Sequence, residues 1–200
     1  MSATLTEQVA IAAAQLVVDE GLEYAAAKRK AARQLAGGRM RSGVLPRNEA
    51  VEEQVRQHLA MFHADTQPAE LRALRHLAVR WLERLAAHRP HLAGAVWRGT
   101  ATRISSLVVD LYCDDPKSTE IDLINLGLEF DVGGDGDAEP GSVSVLTLGT
   151  WSDELKDQVT LHLLLHDLDD LRGALKPDAQ GRSWRGDLQA LRRLIDEARA

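Results

Sequence analysis

Apolar residues in the first 90 positions recur at helical spacing. Thr4 and Glu7 stand three apart, the spacing at which a hydroxyl and a carboxylate satisfy the free amides of a helix start. Val9, Ala12, Ala13, Leu16 and Val17 then form one stripe. Gly21 marks a break, and Leu22 to Leu35 reads as a second, alanine-rich helix ended by Gly37 and Gly38. Residues 39–47 read as a loop, and a third helix follows Asn48 with Val51, Val55, Leu59 and Phe62 on one side. Pro68 suits the first turn of a fourth, whose face is Leu71, Leu74, Leu77, Ala78, Trp81, Leu82 and Leu85.

Beyond Pro90 the period shortens. Ala93 to Trp97 is a short apolar run closed by Gly99 and Thr100, and Leu107 to Cys113 is rich in β-formers. Asp115 followed by Pro116 predicts a helix start, with Ile121, Ile124 and Leu128 at helical spacing and Gly127 at its end. Leu128 to Val132 alternates like a half-buried strand, and residues 133–141 read as an exposed turn. Val143 to Leu148 and Val159 to His166 are further strand candidates. Asp167, Asp169 and Asp170 suit a helix opening, and Asp187 suits the cap of a closing helix with Leu188, Leu191, Leu194 and Ile195 inward. Strands grouped together, with helices mostly before and after, predict an α+β protein. The expected division is a helical region over 1–90 and an α+β domain over 91–200.

A chain of 200 residues buries enough surface to hold a core without disulfide or metal. The single cysteine, Cys113, excludes a disulfide framework and multi-cysteine metal sites. No apolar run approaches the roughly 20 residues of a membrane helix, and residues 1–7 lack the features of a signal peptide, so a cytoplasmic protein is expected. The net charge of −6 is unevenly spread: residues 1–99 carry 14 basic and 10 acidic residues, whereas 100–172 carry 4 and 16. An acidic middle suggests either internal matching of charge or a carboxylate-rich site that attracts cations.

The candidate chemistry lies in that middle. Gly99-Thr100, then Ser105-Ser106-Leu107-Val108-Val109-Asp110, then Gly127-Leu-Glu-Phe-Asp131-Val resembles the nucleotidyltransferase (polymerase-β-like) superfamily over about residues 92–132. The resemblance implies a helical bundle packed on a mixed sheet of nucleotidyltransferase type. It also implies a phosphate-holding turn at Gly99 and Thr100, with Ser106 nearby, and a third carboxylate at Asp131 or Glu129. The sequence departs from that family where it matters chemically. Serine and valine stand where two carboxylates are expected, and valine cannot coordinate Mg²⁺. Alternation along a strand puts Ser106, Val108 and Asp110 on one face, and Glu129 and Asp131 on one face of the later strand. If those faces coincide, Asp110, Glu129 and Asp131 form a displaced cluster able to hold Mg²⁺, with His162 as a base or phosphate contact.

His162 and His166 would suit one metal ion only on a helix; on a strand they lie about 13 Å apart. From Lys28 to Asn48 there are seven basic residues and no acid, of which Lys28, Arg29, Lys30, Arg33, Arg39 and Arg41 could contact the phosphates of a nucleotide or RNA. No P-loop, dinucleotide fingerprint or nucleophile elbow is present. The chain is also similar to short proteobacterial proteins labelled muramate–alanine ligase, through residues 111–120 and 169–181, yet it lacks the ATP phosphate loop and the several domains of such ligases. The expected function is a nucleotidyltransferase-like protein with weakened or lost catalysis that binds a nucleotide or nucleic acid. The alternative is a non-catalytic protein–protein interaction module.

Overall fold

The computed structural model describes residues 4–22, 24–36, 45–133, 144–177 and 181–198. The chain divides into two compact units, Met1–Ala69 with Thr100–Ile104, and Glu70–Gly99 with Ser105–Ala200. It is an α+β protein with a six-stranded mixed sheet.

In the first unit, α1 (Leu5–Glu20), α2 (Tyr24–Ala36) and α3 (Asn48–Phe62) share a core built from the small and β-branched residues of the predicted stripes. Val9, Ala13, Ala27, Ala31, Val51 and Val55 are all fully buried there. The small side chains let the helices approach closely, and dispersion contacts replace the bulk a leucine would supply. Thr4 and Glu7 make the reciprocal capping box, and Gly21 ends α1 in the left-handed conformation. Phe62 departs from the predicted face. It lies in the last turn of α3 and is 67% exposed, because the inward stripe ends at Leu59.

The second unit takes α4 (Gln67–Arg84) from Glu70 onward, then β1 (His91–Ala93), α5 (Gly94–Arg98), β2 (Leu107–Cys113) and α6 (Pro116–Asn125). It continues with β3 (Asp131–Gly133), β4 (Ser144–Ser152), β5 (Asp157–Asp167), α7 (Leu171–Ala174), β6 (Arg185–Gly186) and α8 (Leu188–Glu197). The strand order is β3-β4-β5-β2-β1-β6, with β2 and β5 parallel and the other neighbours antiparallel. Strand alternation gives this sheet two unlike faces. One carries Leu107, Val109, Leu111, Leu146, Leu161, Leu163 and Leu165, all buried. Trp81 of α4 donates its indole N–H to Thr150 on that same face at 3.1 Å, which places the apolar stripe of α4 against it. The other face is mixed, setting Asp110, Tyr112, His162 and His166 among the partly buried Val108, Val145 and Leu164.

Asp115 caps α6 by accepting from the amides of Lys117 and Ser118, with Pro116 at its first position as predicted. The inward residues of α6 are Thr119 and Leu123, however, and Ile121 and Ile124 are 58% and 59% exposed. The strand expected from Leu128 begins only at Asp131, since Leu128 turns inward at the end of the helix and is buried outside any strand. Conversely, β4 and β5 run several residues beyond their predicted ends and form a hairpin around residues 153–156. The glycine-rich segment 134–141 lies outside the described residues.

Candidate functional site

The polar side chains of the mixed face stand at alternate positions of otherwise apolar strands. The β2–β5 register sets Tyr112 opposite His166, and the β1–β2 register sets His91 opposite Asp110. Partners in register share a face, so Asp110, Tyr112, His91 and His166 all project to one side, as does Arg185 through its pairing with Ala93. Asp110 sits at their centre, only 2% exposed. One carboxylate oxygen meets His166 Nε2 at 2.8 Å, and the other meets Arg185 Nη1 at 2.9 Å. Arg185 Nη1 also donates to the Tyr112 hydroxyl at 2.7 Å. The Tyr112 ring stacks on His166, and His91 packs edge-on against it with Nδ1 fixed on the Arg89 carbonyl at 2.9 Å.

Each contact has a physical reason. A carboxylate removed from water is tolerated only with charged or strongly hydrogen-bonding partners, and Asp110 has two. Burial pushes the Tyr112 phenol above its ordinary value; Arg185, through its hydrogen bond and charge, draws it back, while Asp110 and Asp170 push it further up. His166 accepts no other described partner at Nδ1, and the side chains of His166 and Arg185 stay 14% and 25% exposed. Asp110 and His166 thus form an oriented carboxylate–imidazole pair. Such a pair orients the ring, with Nε2 on the carboxylate and Nδ1 on the opposite side of the ring.

The carboxylates expected to share an ion do not converge. Asp131 pairs with Thr147, Thr147 with His162 and His162 with Val108, so Asp131 does lie on the face of Asp110. Three inter-strand steps of about 4.8 Å nevertheless separate their strands by about 14 Å. Glu129 precedes β3 and is exposed, as is Asp131. Mg²⁺ needs oxygens at about 2.1 Å, and both Asp110 oxygens already face nitrogens, so Asp110, Glu129 and Asp131 do not fit one shared Mg²⁺. His162 lies between the two ends of this row, partly buried, with Nδ1 on the Thr147 hydroxyl at 3.0 Å.

The expected phosphate turn is also placed differently. Gly99 (φ 81°) closes α5, and its amide is used on the Ala95 carbonyl. A helix C-terminus presents carbonyls and partial negative charge, which repel phosphate. Buried Arg75 satisfies that end, donating to the carbonyl oxygens of Val96 at 3.2 Å and Trp97 at 3.5 Å. Thr100 is 2% exposed, and Ser106 is half-buried just before β2, about 13 Å along the strand from Asp110.

In the basic stretch, Lys28 bonds the Pro46 carbonyl and the Asn48 side chain, and Lys30 pairs with Glu20. Arg29 and Arg33 are exposed, and Arg39 and Arg41 lie outside the described residues. Asp110 is a candidate from the sequence, whereas the partners that surround it, His166, Tyr112, Arg185 and His91, are not joined to it by the sequence reading. The available signal was the period of two: polar Asp110, Tyr112, His162 and His166 interrupt two runs that are otherwise mostly Leu and Val. No family model matches the chain, and no curated protein is similar to it.

Proposed function

We propose that the second unit binds a nucleotide or another phosphate-bearing ligand at the Asp110–His166–Arg185 cluster, and that any nucleotidyltransferase kinship has lost two-metal catalysis. The supporting observation is that Asp110 bridges an imidazole and a guanidinium, each still partly open to solvent. In this reading Arg185 attracts the anion, since its planar fork suits phosphate oxygens. His166 supplies acid–base chemistry through Nδ1, and Tyr112 keeps the guanidinium in place. The scatter of Asp110, Glu129 and Asp131 argues against an ion held by all three. A protein–protein interaction module is favoured instead by a separate observation, the solvent-facing Ile121, Ile124 and Leu126 along and just after α6.

Melting temperature under titration with ATP, GTP, CTP, UTP and inorganic phosphate, each with and without Mg²⁺, tests the proposal. Ligand at 100 times Kd stabilises by about 2.7 kcal/mol. The expected result is stabilisation that does not require Mg²⁺ and is lost in Arg185→Met. A response that needs Mg²⁺ and disappears in Asp131→Ala would restore nucleotidyl transfer. No response to any of these, with self-association abolished by Ile121→Asp, would favour the interaction module.

A further inference from the structure

A second constellation of titratable groups lies in the first unit, independent of the cluster on the sheet. Asp19 stands in the last turn of α1, His58 near the end of α3, and His63 caps the C-terminus of α3. One ligand atom of each lies within 4.8 Å of the others. His58 and His63 are five apart in sequence, and on a continuous helix five residues turn the rings well away from each other. The chain leaves the helix at His63 (φ −130°, ψ 16°), which brings its ring back to 5.9 Å from that of His58.

The electrostatics of this place are unfavourable without a cation. Asp19 lies at the negative end of α1, and the C-terminal end of α3 carries the same sign of partial charge. Neither helix has a basic residue in its last turn. Among the described residues, His58 Nε2 approaches the Asp19 carboxylate at 3.9 Å, too long for a hydrogen bond. The same turns are anchored by the buried residues Val17, Val18, Val55 and Leu59, so the three groups hang on a packed frame.

We infer that Asp19, His58 and His63 bind one divalent transition-metal ion of the zinc class, leaving open coordination positions for water. Two imidazoles and one carboxylate are a donor set that Zn²⁺, Co²⁺ and Ni²⁺ accept, and Mg²⁺ and Ca²⁺ do not favour. Ligand atoms around Zn²⁺ sit at about 2.0–2.2 Å from the metal, hence about 3.3 Å apart. Closing the observed spacing to that value calls for rotation of the Asp19 side chain, which is 60% exposed, toward the imidazoles. His63 remains on the side of His58 because the backbone has already turned.

The test is Zn²⁺ binding by the chelator-treated full chain, measured in competition with a chromophoric chelator, with Co²⁺ as an optical probe. One equivalent is expected to bind saturably at micromolar metal, with a Co²⁺ visible spectrum that differs from that of the aquo ion. Affinity should fall at least tenfold in Asp19→Asn and in His63→Gln, while His76→Gln, which removes the surface His76–Glu154 pair, leaves it unchanged. Circular dichroism of Asp19→Asn, an exposed site, checks that the variant is folded. Absence of saturable binding would overturn the inference. So would affinity that is unaltered in both site variants, or that falls equally in His76→Gln.

Discussion

Replacing Asp110 with asparagine keeps the shape of the side chain and removes only its charge. The amide oxygen still lies beside Arg185, and its NH₂ can donate to His166 in the other tautomer, so no large cavity opens. What is lost is the neutralisation of a guanidinium confined beside a carboxylate that is 2% exposed. Removing one member of a fully buried pair costs about 3–5 kcal/mol. The Arg185 side chain is 25% exposed and regains some hydration, which lowers the expected loss to about 2–3 kcal/mol. For a chain of this size that corresponds to a fall in Tm of about 5–10 °C. All four tryptophans, Trp81, Trp97, Trp151 and Trp184, belong to the second unit, so urea denaturation followed by their fluorescence reports on the relevant part of the chain. The double variant Asp110→Asn with Arg185→Met should cost less than the sum of the singles by about 1 kcal/mol or more, because the stranded charge has gone. A loss below about 0.5 kcal/mol in Asp110→Asn, the size expected at an unremarkable surface position, would refute this reasoning. Strict additivity in the double variant would refute it equally.

Three further outcomes follow from local geometry. Because burial raises the Tyr112 phenol, the unfolded chain releases that proton first as pH rises through the ordinary phenol value. Stability due to this group is complete below that value and declines above it, so Tyr112→Phe should flatten the alkaline fall of the urea midpoint; an unchanged slope would contradict the placement. Asp115 is held below the ordinary carboxylate range by the Ser118 hydroxyl and the amides of Lys117 and Ser118, so its capping is complete above that range and is lost as pH falls through the lowered value. The protection factor of the Ser118 amide should therefore fall on acidification in the wild type and show no such dependence in Asp115→Asn. Finally, Gly186 packs directly beneath Trp97, and an added Cβ would fall inside the indole ring. Gly186→Ala should cost about 1–3 kcal/mol and alter Trp97 emission, through loss of the indole bond to the Ser183 carbonyl at 2.8 Å.

Local chemistry was legible in the sequence wherever it was sufficient by itself. The Thr4–Glu7 box, Asp115-Pro116 and Asp187 each act within a few residues, and each begins its helix. The span of β2 was likewise visible, since a run of β-branched and large apolar residues has few other uses. Ile121 and Ile124 misled because their spacing matches a buried helix face, whereas α6 buries the less conspicuous Thr119 and Leu123. The site failed for a different reason. Whether Asp110 meets Asp131 or His166 depends on strand order, which is non-local: a parallel β2–β5 pair brings His166 beside Tyr112, and the β4–β5 hairpin pushes Asp131 toward the far edge. Arg185 comes from a two-residue strand that periodicity cannot detect. Gly99, expected in a phosphate-holding turn after a short apolar run, instead closes the helix α5.

The imidazole resonances of His166, followed by nuclear magnetic resonance while inorganic phosphate and then a nucleoside triphosphate are added, test the central claim most directly. The expected result is a saturable shift of the His166 signals with Mg²⁺ withheld, abolished in Arg185→Met, while those of His76 stay still. Signals of His166 that do not move at saturating ligand, or that move identically without Arg185, would contradict it.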